Sequence, residues 1–80
     1  MDDIVAKKYS YVHRQPNYWD VRYDEWNGYE SAHIVVSQGG RELQIYLKTL
    51  DLRHQVGSFD TDEIIELIEI AKEYKELHNI

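Results

Sequence analysis

The chain has no cysteine, a single proline and only four glycines in 80 residues. Without thiols there is no disulfide framework, no thiolate zinc site and no thiol redox centre. No run of about 18 apolar residues is present, the length a helix needs to cross a bilayer. No basic segment leads into an apolar one, so no secretory signal is read and the cytoplasm is the expected location. Bases are scarce: nine Lys and Arg face fifteen Asp and Glu, for a net charge of −6. A nucleic-acid binder ordinarily carries the opposite balance, so nucleic acid is not the expected partner. With few backbone breakers and 12% aromatic residues, the composition is that of a folded chain. One small domain over residues 1–80 is expected.

What is present is unevenly placed. Residues 60–80 hold seven acids and two bases, a net of −5, so the rest of the chain is nearly neutral. Aromatics run the other way: Tyr9, Tyr11, Tyr18, Trp19, Tyr23, Trp26 and Tyr29 all fall in the first thirty residues.

Four strands are expected. Residues 4–13 carry β-branched and aromatic side chains, and a loop follows at Arg14-Gln15-Pro16-Asn17. Residues 18–26 alternate, with Trp19, Val21 and Tyr23 on the core face and Asp20, Arg22 and Asp24 opposite. Asn27-Gly28 and Gly39-Gly40 signal tight hairpins around a third strand at 32–37. Residues 41–50 form the fourth, with Leu43, Ile45 and Leu47 on one face and Glu42, Gln44, Tyr46 and Lys48 on the other. Residues 51–59 read as a connector.

The helix signal is the clearest. Asp60 is placed to cap a helix over about 61–78, and Glu63 falls at the N3 position of a capping box. Phe59 and Ile64 are spaced as a hydrophobic staple. At 100° per residue Ile64, Ile65, Leu67, Ile68, Ala71 and Tyr74 share an apolar arc, widened by Ile70 and Leu77. Asp62, Glu66, Glu69, Glu73 and Glu76 form an acidic stripe opposite. The expected architecture is α+β: a four-stranded antiparallel meander with one C-terminal helix packed on one face. One helix covers one face, so the second stays open or meets a partner.

The leading functional expectation is a non-enzymatic protein-interaction module, regulatory or inhibitory, that docks a basic partner. Asp62, Glu66, Glu69, Glu73 and Glu76 would steer the encounter, and Trp26, Tyr29 and Tyr46 would anchor it. An alternative is a small-molecule or metal-assisted site on the open sheet face, near Arg22, His33 and Gln44. A structural homodimer is the third reading. No catalytic triad, phosphate loop, dinucleotide fingerprint or metal-ligand spacing is found, so neither cofactor nor metal is expected. Of the histidines, His13 and His33 are the two that a sheet could bring together.

The elements Ala32-His33-Ile34-Val35-Val36, Gly39-Gly40, Leu43-Gln44-Ile45-Tyr46-Leu47 and the helix from Asp60 occur in a recognisable order. Over about two-thirds of the chain this resembles one family of short bacterial domains of unknown function. That family carries a His-x-His strand, a Gly-rich turn, a second apolar strand and a C-terminal helix. Val35 stands where the second His would be, and the preceding prolines are absent. The resemblance implies the order of elements and a bacterial or mobile-element origin, and no chemistry.

Overall fold

A computed structural model describes residues 11–13, 17–25 and 32–78. The elements are β1 (Tyr11–His13), β2 (Trp19–Asp24), β3 (His33–Gln38), β4 (Arg41–Tyr46), β5 (Leu52–Val56) and α1 (Thr61–Leu77). The strands form one antiparallel sheet in the order β1-β2-β3-β4-β5. The α+β class holds, with five strands among the described residues rather than four.

The difference lies in the supposed connector. β4 ends at Tyr46, because the chain turns there: Leu50 N–H donates to Tyr46 O at 2.7 Å and Tyr46 N–H to Asp51 O at 2.9 Å. Leu50 takes a positive φ of 63° within this turn. β5 then pairs back on β4, with Leu52 opposite Ile45 and Arg53 opposite Gln44. The register shifts before Val56 meets Glu42, and His54, at φ 53°, lies in that irregularity. All five β5 residues are exposed, so no in–out alternation marked it as a strand. Of the expected first strand, Tyr11–His13 is seen, and residues 4–10 lie outside the described residues. The Asn27-Gly28 turn lies outside them too. The Gly39-Gly40 hairpin is present, both glycines having positive φ (48° and 91°), as a tight turn between twisted strands requires.

The core forms on one sheet face. Register aligns Val21, Val36 and Leu43 in one cross-strand row and Tyr23, Ile34 and Ile45 in the next. All six are buried, with Trp19, Ala32 and Leu47 beside them. Helix α1 closes this layer with Leu67, Ile70, Ala71 and Tyr74. The Tyr74 ring stacks on Tyr23 at 5.7 Å, and Trp19 stacks on Phe59 at 6.0 Å.

The capping box forms as expected. Asp60 accepts from Glu63 N–H at 2.8 Å, and Glu63 Oε1 accepts from Asp60 N–H at 3.0 Å. Yet the helix is turned about its axis from the expected setting. Ile70 is 2% exposed and belongs to the core, whereas Ile65 is 54% exposed and Leu77 projects into solvent. Two acids account for this. Glu63 is held by Arg41 of β4, and Glu66 by Asn17 just before β2. Both partners lie on the sheet side, so the flank that carries these acids is drawn inward and Ile65 turns out.

The second sheet face is partly covered as well. His33 and Val35 are buried there, while Asp20, Arg22 and Asp24 remain exposed.

Candidate functional site

The outward side of α1 carries Asp62, Glu69, Glu73 and Glu76, all exposed. At 100° per residue these four fall within roughly 60° of arc, and Ile65 borders them. Among the described residues one basic side chain approaches the group: Lys72 Nζ lies 3.9 Å from Glu69 Oε2, an exposed pair one helical turn apart. Such a pair contributes little to stability. The ridge therefore presents negative charge with a bare aliphatic side chain at its edge.

Glu66 does not belong to that ridge. Its side chain is only 10% exposed. Glu66 Oε1 accepts from Asn17 Nδ2 at 2.7 Å, and Oε2 from Asn17 N–H at 3.2 Å. His13 Nε2 lies 3.4 Å from Oε2. Burial alone would raise the Glu66 carboxyl, but several contacts outweigh it. The Asn17 side chain, the Trp19 indole N–H, the Asn17 backbone and His13 together hold it below the ordinary carboxylate value. In the static geometry Trp19 Nε1 falls outside strict hydrogen-bonding limits, so its part is that of an N–H dipole near an anion.

Arg41 builds a second polar junction. Its guanidinium grips Glu63 with two bonds, Nη1 to Oε1 at 2.8 Å and Nη2 to Oε2 at 2.9 Å. It also donates to Ser58 O at 2.9 Å and to the Gln38 side chain. Its plane lies over Phe59 at 4.8 Å and Trp19 at 5.2 Å. The Arg41 hydrogen bond holds Glu63 below its usual value, helped by the Asp60 backbone N–H, and Arg41 is raised in return. Arg41 was not singled out from the sequence, and nothing in its local pattern marks it.

The aromatic anchors do not join the ridge. Tyr46 projects from the second sheet face, opposite the helix, where it stacks on His33 at 5.1 Å and lies under Arg53 at 5.0 Å. Its ring is thus engaged by both neighbouring side chains. Trp26 and Tyr29 lie outside the described residues.

The alternative site residues do share a face. Arg22, Val35, Gln44 and Arg53 form one cross-strand row, and Asp24, His33 and Tyr46 form its neighbour. Arg22 reaches across to Glu42 at 3.8 Å. The His33 Nε2 to Asp24 Oδ2 distance is 3.9 Å, beyond hydrogen-bond reach. Gln44 Oε1 is buried and accepts no hydrogen bond among the described residues. His13 and His33 do not meet, since β1 pairs with β2 and not with β3. Among the described residues no three His, Cys, Asp or Glu converge as metal ligands.

No family model, curated protein or solved structure matches this chain. Among the described residues no helix is long and apolar enough to cross a membrane. The functional reading therefore rests on the geometry of the chain itself.

Proposed function

We propose that this chain is a non-enzymatic protein-interaction module, acting as a small regulator or inhibitor in the cytoplasm, that docks a basic partner on the outward face of α1. The observation that carries this reading is a division of labour among the helix acids. Glu63 and Glu66 are engaged in holding the fold, while Asp62, Glu69, Glu73 and Glu76 are exposed beside Ile65. Like charges at helical neighbour positions cost a few tenths of a kcal/mol each, so beyond Asp62, which sits favourably in the first turn of the helix, the ridge does not serve helix stability. It suits long-range steering of a positive surface, with Ile65 supplying the apolar contact that charge alone lacks.

The test is affinity capture with the whole chain at low and high salt. A steered basic partner is retained at about 0.05 M salt and shed by about 0.5 M, where the Debye length falls to a few ångströms. Capture that ignores salt contradicts the reading.

The second face supports a second reading, a small-molecule site near Arg22, His33 and Gln44. It is favoured by the unmatched Gln44 Oε1, an acceptor to which a ligand N–H or O–H could donate. Chemical-shift mapping with small polar ligands would test it, with changes confined to 22, 33 and 44 as the supporting result.

A further inference from the structure

Among the described residues β1 is the shortest strand of the sheet. Its described residues, Tyr11–His13, pair with β2 alone among the described strands, through Tyr11–Val21, Val12–Asp20 and His13–Trp19. Three rungs at a sheet edge are marginal by themselves. Among the described residues, a carboxylate 49 residues beyond Asn17 ties this edge to the helix. Glu66 binds Asn17 through both the backbone and the side-chain N–H and lies against His13 Nε2. Neither His13 Nε2 nor Trp19 Nε1 finds another hydrogen-bond acceptor among the described residues. Glu66 is therefore the common polar neighbour of β1, of the residue that leads into β2, and of the first residue of β2.

We propose that Glu66 is a latch and β1 a releasable strap: with the latch engaged β1 is fixed to the helix side of the sheet, and with it open β1 detaches while β2–β5 and α1 stay folded. The described core supports such a division: its buried residues come from β2, β3, β4, their flanking residues and α1, while Val12 and His13 of β1 are half-buried. Opening has two consequences. β2 becomes the edge of the sheet, with its backbone groups offered to another strand. Glu66, one helical turn from Asp62 and Glu69, is returned to the acidic stripe. The latch does not depend on any partner docking there.

Native-state hydrogen exchange on the full chain tests this, comparing the wild type with Glu66→Gln, Asn17→Asp and the exposed control Glu69→Gln. Glu66→Gln keeps the volume and removes the charge. Asn17→Asp sets a second carboxylate against the first at an exposed loop position, where folding is not at risk. In both, amides of the β1–β2 ladder should exchange about tenfold faster, while those of β3, β4 and α1 change by less than about twofold. Glu69→Gln should match the wild type throughout. Equal acceleration across the whole sheet, or none in the β1–β2 ladder, overturns the proposal.

Discussion

Replacing Ile70 and Ile65 separately by alanine gives a matched test of how the helix is seated. Both changes remove the same three carbons from the same helix. Ile70 is 2% exposed within the core and Ile65 is 54% exposed. Three buried carbon groups at about 0.8 kcal/mol each give a transfer loss of about 2.4 kcal/mol at position 70. A cavity term of about 1 kcal/mol adds to this, and the better helix propensity of alanine returns about 0.4 kcal/mol. Ile70→Ala should therefore cost about 3 kcal/mol. At position 65 the transfer loss is about halved, no cavity forms, and the propensity gain offsets part of the rest, so the cost stays below about 1 kcal/mol. For a domain of this size each kcal/mol moves Tm by about 4–8 °C. Urea and thermal unfolding followed by far-UV circular dichroism would measure both. Should Ile70→Ala leave no folded baseline, Ile70→Val gives the graded version, at about 1 kcal/mol. A larger loss for Ile65→Ala than for Ile70→Ala would refute the seating of the helix, and with it the exposure of Ile65 beside the acidic ridge.

Three further outcomes are expected. Asp60→Ala removes the side-chain half of the capping box, leaving the backbone N–H of residue 60 to donate to Glu63, and should lower stability by about 1 kcal/mol, read as a fall in Tm with little change in the urea m-value. Gly57→Ala should destabilise by more than 1 kcal/mol or so, because Gly57 sits at φ 87° and an added Cβ would meet Arg41 Cγ at 2.9 Å; denaturant titration checks it. Glu63 and Glu66 are both held below their ordinary carboxyl value in the folded state, so their contribution is present above the unfolded value and lost as pH falls through the folded one. Tm should accordingly decline from about pH 5 downward, and Glu66→Gln should flatten that decline.

Much of the fold was legible wherever the physics is local. The capping box needs residues three apart, and Asp60 and Glu63 announced it. Gly39-Gly40 marked a hairpin through its tolerance of positive φ, and alternation placed Trp19, Val21 and Tyr23 in the core. β5 was not legible, because an edge strand exposed on both faces has no hydrophobic period and exists through its pairing with β4. The seating of α1 was misjudged for a related reason. Periodicity weighs apolar content, yet the helix is oriented by Glu63 and Glu66, whose partners Arg41 and Asn17 lie 22 and 49 residues away. The same contacts removed Glu66 from the expected stripe. Tyr46 was rightly placed on the face opposite Leu43 and Ile45, but that face is turned away from the helix, so anchor and ridge do not form one surface. The grouping of Arg22, His33 and Gln44 on one face came directly from strand parity.

The central claim is that the outward acids of α1 serve binding and not folding. Neutralising Asp62, Glu69, Glu73 and Glu76 together, as D62N, E69Q, E73Q and E76Q, separates the two. Tm should change little, because relief of like-charge repulsion along the ridge is offset by loss of Asp62 from the positive end of the helix and of the exposed Glu69–Lys72 pair. Affinity for a partner retained at low salt should fall at least about tenfold, the loss of roughly 1.4 kcal/mol of binding free energy. Unchanged affinity in a variant that folds as the wild type does would contradict the account.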